Sequence, residues 1–158
     1  MRYFYPKEQQ ELFTNRQTEL AELAHYLDTL RQGRPEHAAI FGLRRIGKTL
    51  LLKEFLRQTL GQKTGIAPVY MDFTFLCSSP EQFAAGYVGH ICYWLVTQGQ
   101  EPPESYLTPT GLSNQLLLVG ERDLYEAIQP IVHLLERAHV DRQALLRQTF
   151  RFPQVVGE

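Results

Sequence analysis

One eight-residue stretch, Gly42-Leu43-Arg44-Arg45-Ile46-Gly47-Lys48-Thr49, constrains this chain more than any other feature. Its two glycines stand five positions apart and are followed by a lysine and a hydroxyl residue, the pattern of loops that hold phosphate groups. Glycine lets consecutive backbone N–H groups turn toward phosphate oxygens, and a helix that follows directs its positive end at the same anion. The stretch therefore predicts a phosphate-binding loop, and the competing interpretation is a glycine-rich turn that binds nothing.

The side chains of this loop predict a ligand with a phosphate chain and a metal ion. Lys48 is expected to reach the β and γ phosphates, and the Thr49 hydroxyl is expected to ligate Mg²⁺. The predicted ligand-binding residues are Gly42, Leu43, Arg44, Arg45, Ile46, Gly47, Lys48, Thr49 and Leu50, with Thr49 as the metal ligand. Two interpretations stay open for Arg44 and Arg45, a positive rim that attracts an anionic partner or a solvated loop face.

The flanks of the loop predict a parallel crossover unit. The apolar run 38–41 ends at Gly42 and is typical of a strand that is buried on both faces. A helix is expected from about Gly47 to Gly61, and a second strand over 69–73. Strand, helix and strand in this order predict an α/β fold with a right-handed connection.

Helices are predicted elsewhere from apolar residues at helical spacing. The first follows a capping box at Thr14–Gln17 and stops at Gly33, and another starts at the cap Ser79. Residues 100–111 are expected to form a loop, because they contain three prolines and a glycine. Further helices are expected from Asp123, with an interruption before Pro130, and over 141–150, with a stop near Pro153.

Composition excludes several classes of protein. The net charge of −1 does not support a nucleic-acid partner, and no apolar run is long enough to span a membrane. Cys77 and Cys92 are too few for a disulfide framework, and the five histidines show no metal-ligand spacing, so a cytoplasmic protein is expected. No catalytic residue is predicted. Tyr87, Tyr93 and Trp94 are expected to pack in a core, although a platform for stacking bases is the alternative.

The stretch from Phe13 to Asp72 resembles the archaeal-type ATPases of the STAND branch of P-loop NTPases, relatives of AAA+ proteins. The resemblance rests on Phe13–Leu20, on the phosphate-loop motif with its paired arginines, and on the run that ends at Asp72. It implies a three-layer αβα sandwich that binds ATP or ADP with Mg²⁺. It also implies that Phe13 and Arg16 lie near the adenine, whereas the residues alone favour Phe13 as a hydrophobic staple on the first helix, and both roles can coexist.

The chain departs from this family because it lacks the acidic strand that supports magnesium and activates water. Asp72 is followed by Phe73 rather than by a second acid, and Asp141 lies in a helical pattern. We therefore expect an N-terminal portion of such an ATPase, truncated before its acidic strand, with regions 1–36, 37–75 and 79–158. The predicted function is ATP binding without appreciable hydrolysis. The alternatives are an ATPase or switch that needs further residues, and an interaction remnant that binds no nucleotide.

An incomplete sheet would have a physical consequence. In an AAA+-like order, strands 38–41 and 69–73 would not pair directly, so an incomplete parallel sheet with helical segments after it is expected. Unpaired strand edges favour association. Self-association or a protein partner is therefore predicted alongside nucleotide binding.

Overall fold

All regular structure in the described part of the chain is helical. The computed structural model describes residues 13–61, 65–73, 78–97 and 102–157. Within them lie a 3-10 helix at Glu104–Tyr106 and the α-helices α1 (Gln17–Arg31), α2 (Lys48–Gly61), α3 (Pro80–Thr97), α4 (Pro109–Leu118), α5 (Arg122–Leu135) and α6 (Arg142–Val156). None of the helices described here is both long and apolar enough to cross a membrane. Cys77 lies outside the described residues.

The predicted α/β P-loop NTPase fold, of the AAA+-like STAND type, is wrong for the described residues. Neither 38–41 nor 69–73 forms a strand, and no sheet is present in the described ranges. The predicted buried strand is instead exposed, with Phe41 88% accessible. A short apolar run has no strand structure of its own, because a strand is completed only by hydrogen bonds to a neighbouring strand. Neither run has a neighbouring strand among the residues that the structure describes.

The chain divides into two compact units between Tyr70 and Met71. In the N-terminal unit, α1 packs against α2. The predicted capping box at Thr14 does not form, because the helix begins two residues later than such a cap requires, and Arg16 occupies the cap position without a side-chain hydrogen bond. The predicted stop at Gly33 is confirmed, since this glycine adopts a φ of 73°.

The N-terminal unit buries few apolar side chains. Its buried apolar residues in the described part are Leu51 and Leu56 on α2. Glu54 is also buried, at 5% exposure, and its carboxylate accepts hydrogen bonds from Arg57 and Gln58. A cavity of about 180 Å³ lies among side chains of α1, α2 and the segment between them, including Tyr26, Leu27 and Phe55.

The C-terminal unit has a larger core. Helix α3 packs against α6 and the 3-10 helix, and α5 packs against α4 and α6. The buried apolar side chains are Ala84, Ala85, Val88, Ile91, Cys92, Trp94, Tyr106, Leu112, Leu116, Ile128, Ile131, Val132, Leu145 and Phe152. The predicted cap of α3 is confirmed, since the Gln82 N–H donates to the Ser79 hydroxyl at 3.0 Å. Asp141 caps α6 in the same way.

Three helix boundaries differ from the sequence predictions, and each involves proline. The loop predicted over 100–111 is wrong at its end, because residues 109–111 begin α4, and Pro109 occupies the first helical position, where its missing N–H is not needed. Helix α5 continues through Pro130, and α6 continues through Pro153. A proline inside a helix removes one intrahelical hydrogen bond, and in both helices packing of the apolar face outweighs that loss.

Candidate phosphate-binding loop

The predicted phosphate-binding residues form a turn that leads directly into α2. Arg45 and Gly47 adopt positive φ angles of 68° and 91°. Glycine reaches this region without strain, whereas an arginine there is held in a sparsely populated conformation. A Cβ at Gly42 would lie 2.5 Å from the Ile46 side chain, so the loop closes tightly on itself at this point. The motif therefore folds as a compact turn, entered from an irregular segment rather than from a strand.

Lys48 folds back over this turn. Its ammonium donates hydrogen bonds to the carbonyl oxygens of Gly42 at 2.8 Å and of Leu43 at 2.9 Å. Neutral carbonyl oxygens leave the charge of the ammonium uncompensated, so an anion that reaches the turn meets a full positive charge. The lysine predicted to contact phosphate is thus held at the turn by two contacts that an anionic oxygen can replace.

The start of α2 adds backbone donors to this charge. The Leu51 N–H donates to the Gly47 carbonyl at 2.9 Å, so the N–H groups of Lys48, Thr49 and Leu50 precede the first intrahelical hydrogen bond of α2. No acidic residue lies in the first turn of this helix. The positive end of the helix dipole is therefore reinforced by Lys48 rather than neutralised by a carboxylate.

Arg16 connects the first helix to the turn. Its guanidinium donates one hydrogen bond to the Ile46 carbonyl at 3.1 Å and another to the Glu19 carboxylate at 2.6 Å. This hydrogen bond to Arg16 lowers the pKa of Glu19. The structure thus places Arg16 against the loop. Phe13 is half-buried, but the predicted staple is wrong, because a staple needs the residue just before the cap and that residue is Asn15.

The cations near the loop differ in their partners. Arg44 and Arg45 are exposed, and in the part of the chain that is described neither has an ion pair. Further along α2, the Lys53 ammonium lies 5.7 Å from the centre of the Tyr70 ring. Arg57 is bound to the buried carboxylate of Glu54 at 2.6 Å. Arg44 and Arg45 are therefore the arginines whose charge is available to an anion.

A magnesium ion would find one protein ligand in this loop. Thr49 is exposed at the start of α2, and its hydroxyl can supply one oxygen. No cluster of three or more metal-binding side chains occurs among the described residues. Mg²⁺ usually keeps several waters and is bound through one or two protein oxygens together with the phosphates of its ligand. A single hydroxyl beside a bound phosphate chain fits that pattern.

Other reactive side chains belong to the core of the C-terminal unit. Cys92 is fully buried, and burial raises the pKa of its thiol to about 12, so it is protonated at neutral pH. Trp94 is buried, and the Tyr93 ring contacts the Tyr106 ring edge-on at 4.6 Å. The predicted core packing is confirmed for Trp94, whereas Tyr93 is half-buried. Tyr87 is half-buried and stacks on Phe83.

Two features of the N-terminal unit were not predicted. One is the buried Glu54 with its arginine partner, whose signal was the three-residue spacing of Glu54 and Arg57 on one helix. The other is the exposure of Phe41 and Leu43, 88% and 81%, beside the loop. Nothing in a short apolar run distinguishes an exposed segment from a buried strand.

In comparisons with known proteins, no protein-family model, no curated protein and no solved structure matches this chain.

Proposed function

We propose that the loop Gly42–Thr49 binds the phosphate chain of ATP or ADP together with Mg²⁺. The observation that carries the proposal is the position of Lys48, whose ammonium is held over a turn of matching sequence by the carbonyls of Gly42 and Leu43. Phosphate oxygens are stronger acceptors for an ammonium than carbonyl oxygens are. The proposal concerns binding and does not include hydrolysis.

Each part of the loop has a role in this proposal. Lys48 exchanges its carbonyl partners for phosphate oxygens, and the free N–H groups at the start of α2 donate to the same phosphate. Thr49 supplies a hydroxyl to the magnesium ion that accompanies the phosphates. Arg44 and Arg45 raise the local concentration of anions around the loop.

Calorimetry on three forms of the chain tests the proposal. Wild type, Lys48→Ala and Lys53→Ala are titrated with Mg-ADP, after circular dichroism has shown that their helical content is equal. Hydrogen bonds to charged groups contribute about 1.5–3 kcal/mol, so Lys48→Ala is expected to weaken binding by roughly tenfold or more. Lys53→Ala removes the same charge from the same helix outside the loop and is expected to change affinity by less than about twofold.

A second titration separates the phosphates from the base. Adenosine carries no phosphate and is expected not to bind, whereas inorganic pyrophosphate with Mg²⁺ is expected to bind in a Lys48-dependent way. Equal affinity of wild type and Lys48→Ala for Mg-ADP overturns the proposal, as does binding of adenosine as tight as that of Mg-ADP.

A further inference from the structure

The segment that leads into the phosphate-binding loop is the most exposed apolar part of the described chain. Every side chain from Arg31 to Ile46 is exposed. Phe41 is 88% accessible and Leu43 is 81% accessible. Leaving two large apolar side chains in water forgoes the stabilisation that their burial would give. Exposure on this scale is typical of surfaces that another molecule covers.

Most of the main chain of this segment is unpaired among the described residues. No main-chain hydrogen bond reaches residues 36–41 from any residue that the structure describes. The carbonyls of Gly42 and Leu43 accept hydrogen bonds from the Lys48 ammonium. Residues 37–43 contain no Asp, Glu, Lys or Arg and no proline. Unpaired N–H and C=O groups in such a stretch are a template for pairing with another chain.

The charges at the two ends of the segment identify the partner. Glu36 precedes the uncharged stretch and Arg44 follows it, at equal distance from Ile40. In an antiparallel pair centred on Ile40, Glu36 of each copy lies opposite Arg44 of the other. A parallel pair in register would instead place Glu36 beside Glu36, and like charges directly opposite are destabilising. The segment is thus complementary to itself in one orientation.

We propose that two copies of this chain associate through antiparallel pairing of residues 36–44 about a two-fold axis at Ile40. Residues 42–44 leave the turn when they pair, and the Lys48 ammonium then releases the carbonyls of Gly42 and Leu43. The interface is isologous, because each copy contributes the same residues. Side chains alternate between the faces of a paired strand, so Phe41 and Leu43 lie on one face of the ribbon, with Phe41 opposite the small Ala39 of the other copy. Two strands alone are only marginally stable, so the dimer is weak and forms at high protein concentration.

This inference does not depend on nucleotide binding. Residues 42–44 belong to both surfaces, however, so its test is made without nucleotide or Mg²⁺. Failure to dimerise leaves the phosphate-binding proposal untouched, and failure to bind Mg-ADP leaves the dimer untouched.

Charge reversal tests both the pairing and its orientation. The full-length wild type and the variants Glu36→Arg and Arg44→Glu are compared by sedimentation equilibrium over a range of concentrations. Each single variant places two like-charged pairs where the wild type has two opposite pairs, and each is expected to dimerise roughly tenfold more weakly. An equimolar mixture of the two variants restores both opposite pairs in a mixed dimer, so it is expected to recover the affinity of wild type.

Arg45→Glu provides the matched control, because it makes the same charge change one residue beyond the paired segment. It is expected to dimerise within about twofold of wild type. Three results overturn the proposal: a wild type that stays monomeric at every concentration, single variants that associate as tightly as wild type, or a mixture that associates no better than its components. If association is apolar and non-specific, the single variants will associate as tightly as wild type.

Discussion

Arg16 shows how one side chain can fix the position of a loop that is thirty residues away in sequence. Its guanidinium contacts the Ile46 carbonyl and the Glu19 carboxylate at once. The ion pair is exposed, so it adds little to global stability. The hydrogen bond to the Ile46 carbonyl has a local consequence, because it ties the start of α1 to the turn that precedes α2. Arg16 is therefore a positioning residue for the candidate site.

The pKa of Glu19 reports on the contact between Arg16 and Glu19. We expect Arg16→Gln to raise that pKa toward its ordinary value, because the hydrogen bond from Arg16 is the largest cause of its lowering. Since the pKa is lower in the folded protein than in the unfolded chain, the contact stabilises the fold above the unfolded pKa. That contribution is lost as the pH falls through the folded pKa.

Carbon-13 NMR of the glutamate carboxyls over a pH titration measures the change. Arg31→Gln is the matched control, because Arg31 pairs with Asp28 at the other end of the same helix. An unchanged Glu19 pKa in Arg16→Gln, or an equal rise in Arg31→Gln, would contradict the contact.

At the scale of the element, the close approach of α3 to the 3-10 helix carries the clearest energetic consequence. Gly89 is buried in α3, and a Cβ at this position would overlap the Tyr106 carbonyl oxygen. Helix propensity alone favours alanine over glycine by about 1 kcal/mol. The clash is with backbone, which cannot rotate away, and overpacking of this kind costs about 1–3 kcal/mol.

Gly89→Ala is therefore expected to destabilise the chain, against the direction of helix propensity. Urea unfolding followed by tryptophan fluorescence measures the change, with Gln82→Ala on the exposed face of the same helix as the control, expected within about 0.5 kcal/mol of wild type. An increase in stability in Gly89→Ala would show that α3 and the 3-10 helix do not approach as described.

The elements differ in how far the sequence could predict them. Nearby residues alone predict a helix that has a regular apolar stripe and a start or stop signal at one end. Helix α1, which stops before Gly33, and helix α3, which starts after Ser79, are of this kind. Nearby residues do not predict the extents of α5 and α6, because packing against other helices decides whether Pro130 or Pro153 stops a helix. The strand predicted over 38–41 is wrong, since pairing with a distant segment cannot be read from four residues.

At the candidate site, the sequence predicts the turn itself but not the side-chain contacts that hold it. The turn from Gly42 to Thr49 has a local signature in its glycines, and the positive φ of Gly47 agrees with it. The left-handed conformation of Arg45 has no such signature, because arginine has no preference for it. The carbonyl partners of Lys48 and the contact between Arg16 and Ile46 depend on the packed unit.

For the whole molecule, the two units differ in the amount of apolar surface they bury. Among the residues that the structure describes, the C-terminal unit contributes most of the buried apolar side chains, including the single tryptophan, Trp94. The N-terminal unit buries Leu51 and Leu56 and leaves Phe41 and Leu43 exposed. Because burial of apolar side chains is the main favourable contribution to folding, the N-terminal unit is expected to be the less stable of the two.

Unfolding in urea, measured with two probes, tests this difference. Fluorescence of Trp94 reports on the C-terminal unit, whereas far-ultraviolet circular dichroism reports on all helices. We expect helical signal to be lost at lower urea than the tryptophan signal, since α1 and α2 unfold first. Transitions that coincide for both probes would show instead that the chain unfolds as one cooperative unit.

The most direct test of the central claim is an amide-resolved NMR titration of the nitrogen-15-labelled chain with Mg-ADP. The proposed site uses backbone N–H groups at the start of α2, so the resonances of Gly47, Lys48 and Thr49 are predicted to shift most, and to saturate together. The same titration of Lys48→Ala is predicted to produce much smaller shifts at equal ligand concentration. Shifts that are largest outside residues 42–50, or that are equal in Lys48→Ala, would contradict phosphate binding at this loop.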